Sequence, residues 1–140
     1  MDTDAAVAAE LADKGIRATR QRILVLQLLR SLDHPTVAQL HRHVTKSLTN
    51  VSKKTVYSVL ETFIEARLAS VVTDGGEPYR YEGKTQPHFH ARCRACGQLV
   101  DLKPTNQGQL RTHSEIPEGF VVENVQITVL GRCRRCAAER

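Results

Sequence analysis

Two Cys-x-x-Cys pairs, Cys93/Cys96 and Cys133/Cys136, constrain this chain more than any other feature of its sequence. A CxxC turn presents two thiols to one point. Two such turns can therefore close a tetrahedral four-thiolate site around one ion, with zinc–sulfur bonds of about 2.3 Å. The closure would tie the first strand of the C-terminal half to the segment after residue 131, coupling metal binding to folding. A staple of this kind is needed. A chain of 140 residues forms one ordinary domain or two very small ones, and small units bury too little apolar surface to stand without a metal, a disulfide or a partner.

The cellular setting bears on the same cysteines. No apolar run approaches the ~20 residues needed to cross a bilayer, and Asp2, Asp4 and Glu10 do not suit the basic flank and apolar run of a signal peptide. The expectation is a cytoplasmic protein with no membrane partner, in which permanent disulfides would not persist. The competing use of paired cysteines is thiol oxidoreductase chemistry. Neither CxxC, however, lies between the strand and helix of a βαβ unit, and there are two of them. One structural Zn2+ per chain on Cys93, Cys96, Cys133 and Cys136 is the reading adopted, with Arg92, Arg94, Arg132, Arg134 and Arg135 offsetting the negative charge of a tetrathiolate centre.

Charge is unevenly distributed. Residues 14–54 carry nine Lys/Arg (14, 17, 20, 22, 30, 42, 46, 53, 54) against Asp33 alone, a local excess of +8 in a chain of net charge +5. Such a concentration suits a polyanionic partner. Residues 4–13 read as a helix ending near Gly15. Thr19 is an N-cap for a second helix rich in buried leucine, and Thr36 with Gln39 forms a capping box opening a third. A fourth helix begins at Ser52. Its Val56, Val59, Leu60, Phe63 and Ile64 follow helical spacing, leaving Lys53, Lys54, Thr55, Tyr57 and Ser58 mostly on the opposite side.

Strand-like runs at 68–73 and 79–82 flank a turn-rich stretch and predict a β-hairpin. Three helices and a hairpin make a winged helix-turn-helix domain over residues 1–83. Its fourth helix would enter the major groove of double-stranded DNA, and Arg17, Arg20, Lys53, Lys54, Thr55, Tyr57 and Ser58 are the candidate contacts. Thr85, Gln86 and Pro87 lie in an expected hinge over 84–87. Residues 88–140 would then form a small α/β dimerisation and metal-binding domain with strands at 88–92, 98–102 and 120–130 and a helix at 105–115. The alternation of Val121, Val125, Ile127 and Val129 suggests a half-buried strand suited to a dimer sheet. The overall class is α+β.

A second constellation is His88 and His90, whose alternate spacing along a strand points both imidazoles to one side. Glu82 before them and Asp101 after the first knuckle complete a mixed N/O set suited to Fe(II), Mn(II) or Zn(II). His34 lies far away in sequence, at a helix entrance. If it joins the set, an ion would lock the two domains in one orientation, which is a switch with a mechanism. His41, His43 and His113 match no such pattern and read as surface histidines.

The run Gly15, Arg17, Thr19, Gln21 and Arg22, then His34-Pro35-Thr36, Thr55-Val56-Tyr57, His88-x-His90-x-x-Cys93-x-x-Cys96-Gly97 and Cys133-x-x-Cys136 resembles the ferric uptake regulator family of metal-dependent repressors. The resemblance spans nearly the whole chain. It implies a homodimer that is not an enzyme, carrying structural zinc on the four cysteines and a regulatory metal at His34, Glu82, His88, His90 and Asp101. Such dimers close on inverted-repeat operators and block transcription.

Many iron- and zinc-uptake members carry a further sensory site. Here Pro87, Phe89 and Val125 stand at its ligand positions, so it is expected to be absent. The remainder is similar to the peroxide-responsive branch, in which Asp follows the first knuckle as Asp101 does. That branch holds Fe2+ or Mn2+ at the regulatory site. With iron bound, peroxide leads to oxidation of a ligand histidine, here His34 and His88 or His90, and the repressor releases DNA. The alternative within the family is an iron- or zinc-uptake regulator. Two positions depart from the pattern: Glu82 replaces an Asp often found at that ligand position in peroxide sensors, and Ser58 stands where many family members have Arg or Asn after the Thr-Val-Tyr run.

Overall fold

The computed structural model describes residues 2–72, 78–83, 89–102, 116–122 and 126–139. The chain divides into two compact units, Met1–Thr85 and Gln86–Arg140. The expected hinge residues 84–87, the helix at 105–115, and His88, His113 and Val125 lie outside the described residues.

The first unit is helical. Helices α1 (Asp4–Asp13), α2 (Arg20–Ser31), α3 (Val37–Val44) and α4 (Lys53–Glu65) precede a hairpin of β1 (Ser70–Val72) and β2 (Arg80–Glu82). Each helix starts where a hydroxyl can satisfy an orphan backbone N–H. Thr19 Oγ1 accepts from Arg22 N at 3.3 Å, and Ser52 Oγ accepts from Thr55 N at 3.1 Å. Thr36 and Gln39 form a reciprocal capping box. Val7 and Leu11 of α1, Val25, Leu26 and Leu29 of α2, Leu40 and Val44 of α3, and Val56, Leu60 and Phe63 of α4 are buried in one core. Three helices with a hairpin are the arrangement of a winged helix. No helix among the described residues is long and apolar enough to cross a membrane.

The hairpin is shorter than its sequence signal. Leu68 and Ala69 are taken up by the end of α4, where both of their backbone N–H groups bond to Phe63 O, so β1 starts only at Ser70. A third segment lies beside β2: Thr36 bridges Arg80, and Tyr81 N donates to Pro35 O at 2.9 Å. The link between α2 and α3 thus runs along the hairpin.

In the second unit β3 (Phe89–Cys93), β4 (Leu99–Leu102) and β5 (Thr128–Gly131) form a sheet of order β4-β3-β5, followed by a short helix α5 (Arg134–Ala138). β3 pairs antiparallel with β4 and parallel with β5. The strand expected over 120–130 is corrected: among the described residues only its last part is a strand, extending to Gly131. Phe120 to Val122 and the adjoining Gln126 and Ile127 are not strand, and Val121 is 80% exposed. Alternation alone does not make a strand. The described ladder with β3 runs from His90↔Thr128 to Cys93↔Gly131. Nor is β5 alternately buried, since Val129 and Leu130 are both exposed.

Candidate metal centres and nucleic-acid face

The two knuckles converge because of the sheet register. Cys93 ends β3, and its carbonyl accepts from Gly97 N at 2.9 Å while its own N–H donates to Gln98 O at 2.9 Å. The turn that swings Cys96 back needs a left-handed residue, and Gly97 supplies φ +79°. Across the parallel ladder Cys93 faces Gly131, two residues before Cys133, which caps α5, and Cys136 lies within that helix. The four Sγ atoms lie within 4.8 Å of one another, and Cys96 Sγ and Cys133 Sγ are 3.8 Å apart. That is about the edge of a tetrahedron with ~2.3 Å zinc–sulfur bonds. All four thiols meet at one place, as a metal set requires and two separate dithiol couples do not.

The electrostatics suit a cation. Backbone N–H groups of Cys133 and then Cys96 hold the Cys93 thiol down to about 6. Cys136 is pushed up to about 12, first by its hydrogen bond with the Cys133 sulfur and then by burial. A crowd of thiolates thus keeps a proton that a divalent ion would displace. Of the nearby arginines, Arg135 has its own pKa raised by the Cys136 and Cys96 sulfurs.

The candidate ligands of the other centre fall in two pairs, one per unit. In the first unit, the antiparallel register of Thr36 with Arg80 runs back to place His34 beside Glu82. His34 Nε2 is 3.4 Å from Glu82 Oε2, and both side chains are buried. His34 adopts φ +46°, a left-handed conformation costing about 1–2 kcal/mol outside glycine. Its carbonyl is held by Arg80, whose Nη1 donates at 2.9 Å. In the second unit, His90 pairs with Asp101 across β3 and β4, with Nε2 3.5 Å from Oδ1. His90 is buried and Asp101 half-buried. Each pair offers one imidazole and one carboxylate, donors suited to a hard or borderline divalent ion.

Two neighbours of these residues escaped the sequence reading. Asp33 Oδ1 lies 2.6 Å from His34 Nδ1, and Ser70 Oγ donates to Glu82 Oε1 at 3.1 Å. Adjacency in sequence is the only signal for Asp33. Ser70 could be found only by drawing the hairpin register. His41 and His43 are half-buried rather than on the surface, with Nε2 of His41 bonded to Val51 O at 2.8 Å and Nδ1 of His43 to Gln39 O at 2.9 Å.

On α4, Lys53, Lys54, Tyr57 and Ser58 are exposed while Thr55 is half-buried, and Arg17 and Arg20 are exposed ahead of and at the start of α2. Neither α2 nor α4 has an acidic residue in its first turn. Cations at a helix N-terminus oppose the helix dipole, at about 0.3–1 kcal/mol each. Arg20, Lys53 and Lys54 thus occupy positions that cost stability, as a surface built to meet phosphates would.

Comparison with known proteins agrees with this architecture. The model of the Ferric uptake regulator family matches residues 13–130. The chain is 30% identical over 128 residues to the peroxide operon regulator of Bacillus subtilis (strain 168), covering 91% of this chain and 88% of that protein. Among solved structures it resembles the Helicobacter pylori ferric uptake regulator, described as having three functional metal-binding sites. The TM-score is 0.72 at 19% identity, over 97% of this chain and 95% of that one. The Campylobacter jejuni peroxide stress regulator aligns with TM-score 0.70 at 22% identity, over 97% and 100%. At these identities the structural likeness is one of fold.

Proposed function

Because the chain belongs to the ferric uptake regulator family, we propose that this metal-dependent regulator is a cytoplasmic, dimeric repressor that senses peroxide. The observation that carries the reading is the pair of imidazole–carboxylate couples, buried His34 with Glu82 and buried His90 with half-buried Asp101, one in each compact unit. Each alone is half of a mixed N/O set. With His88 they make five donors, and one Fe2+ or Mn2+ held by all of them fixes the orientation of the helical unit. Cys93, Cys96, Cys133 and Cys136 hold structural Zn2+, and Arg135 balances its thiolates.

The helical unit presents Arg17, Arg20, Lys53, Lys54, Thr55, Tyr57 and Ser58 to an inverted-repeat operator. The lysines and arginines meet phosphates, and Tyr57 and Ser58 reach base edges. The exposed Val129 and Leu130 of β5 belong to the surface between subunits. When bound, Fe2+ would activate peroxide so that one of its oxygen atoms passes to a ligand histidine, which is oxidised by two electrons, while the other oxygen leaves as water. His34 and His88 or His90 are the groups that take up oxygen, after which they no longer serve as ligands.

The test is operator binding by zinc-replete, Fe2+-loaded protein before and after one equivalent of peroxide, on a duplex selected from a random pool. Release of DNA, with the mass of one oxygen on a peptide containing His34, His88 or His90, supports sensing. Retained binding after peroxide refutes it and leaves the iron- or zinc-uptake regulator, which Glu82 in place of Asp favours.

A further inference from the structure

Ser70 and Glu82 are direct cross-strand partners in the β1–β2 ladder. The Ser70 hydroxyl donates to Glu82 Oε1 at 3.1 Å, whereas Oε2 is the oxygen 3.4 Å from His34 Nε2. The two oxygens of one buried carboxylate thus have different tasks. A buried carboxylate needs hydrogen-bond partners, and its terminal torsion is broad and roughly two-fold. Without the Ser70 hydrogen bond to Oε1, the carboxylate would lose a restraint on which of its oxygens faces a cation. Glutamate also has one more rotatable bond than aspartate, so a restraint from the neighbouring strand matters more here.

We propose that Ser70 is a positioning residue for the regulatory metal: its hydroxyl occupies Oε1 and commits Glu82 to bind through Oε2 alone. The inference rests on the reading of Glu82 as a ligand. Groups that orient a ligand from behind typically change metal affinity 10–100-fold when removed. A carboxylate limited to one oxygen also adds one donor rather than two to the coordination count. Ser70 therefore sets coordination number as well as affinity.

The experiment is anaerobic Co2+ titration of the zinc-replete full-length protein, comparing wild type with Ser70→Ala, Ser70→Thr and Glu82→Gln. Ser70→Ala is expected to weaken Co2+ binding about tenfold and to alter the ligand-field spectrum, with zinc content and melting temperature unchanged. Ser70→Thr keeps the hydroxyl in a side chain suited to a strand and is expected to restore both. If Ser70→Ala matches wild type in affinity and spectrum while Glu82→Gln loses Co2+, Ser70 does not position the ligand. Failure of Ser70→Thr to rescue also overturns the role of the hydroxyl. Unchanged Co2+ binding in Glu82→Gln shows instead that Glu82 is no ligand, and the underlying reading falls.

Discussion

Cys93 lies directly across the parallel β3–β5 ladder from Gly131, two residues before Cys133. One inter-strand register therefore brings the two knuckles together, and the knuckles in turn hold the register. The second unit, Gln86–Arg140, is small, and units of that size bury too little surface to stand without a staple. Cys133→Ser is expected to lose the one zinc per chain and the cooperative unfolding of the second unit, while the helical signal of the first unit largely persists. Metal analysis with circular dichroism checks this. A variant that keeps its fold without zinc refutes the staple.

The lysines opening α4 oppose the helix dipole. Lys53→Glu should therefore raise the stability of the protein by about 0.3–1 kcal/mol while weakening operator binding. The slope of log affinity against log salt should fall by about one for the lost phosphate contact. Denaturant unfolding and salt-dependent binding measure the two effects on the same preparation.

Arg30 forms a two-pronged pair with Glu10, Nη1 to Oε2 at 2.8 Å and Nη2 to Oε1 at 2.5 Å, joining α1 to α2. The hydrogen bond from Arg30 holds the Glu10 carboxyl below its ordinary value of 4.5. A carboxyl lowered by folding contributes stability that is fully present above the unfolded value and is lost as pH falls through the folded one. The pair is partly exposed, so the contribution is below about 1 kcal/mol. Melting curves should show Glu10→Gln less stable than wild type at pH 7, with the difference shrinking as the pH falls below 4.5.

Helix α4 ends in a left-handed residue, Arg67 at φ +61°. Leu68 N donates to Phe63 O at 2.8 Å and Arg67 N to Ile64 O at 3.0 Å, the paired bonds that glycine usually closes. Arg67→Gly should stabilise the fold by up to about 1 kcal/mol, the relief of left-handed strain offset by greater freedom in the unfolded chain. Equilibrium unfolding decides it.

Local chemistry was readable from the residues themselves. Thr19, Thr36 with Gln39, and Ser52 mark three helix starts because a cap is a contact over three residues. The apolar face of α4 follows from its spacing. The cysteine cluster was readable because each CxxC is itself a turn. What depends on pairing between distant segments was not. β5 is defined by its pairing with His90 to Cys93 of β3, and the alternation at Val121 carried no information about that pairing. His34 reaches Glu82 only through the register of Thr36 with Arg80, and Ser70 meets Glu82 only through the hairpin register. Glu82 was a candidate from its place ahead of the histidine pair and His34 only a conditional one until the family resemblance implied both as ligands, and the register supplies a physical reason for their meeting.

On the proposed function, His34 with Glu82 and His90 with Asp101 are two halves of one site. Mn2+ titration of zinc-replete wild type, His34→Ala and His90→Ala, followed by electron paramagnetic resonance of free Mn2+, tests it most directly. One tightly bound Mn2+ per chain is expected in wild type and none in either variant, since each half alone leaves the ion to water. Tight binding of one Mn2+ in both variants would contradict it, showing that the two pairs act separately or not at all.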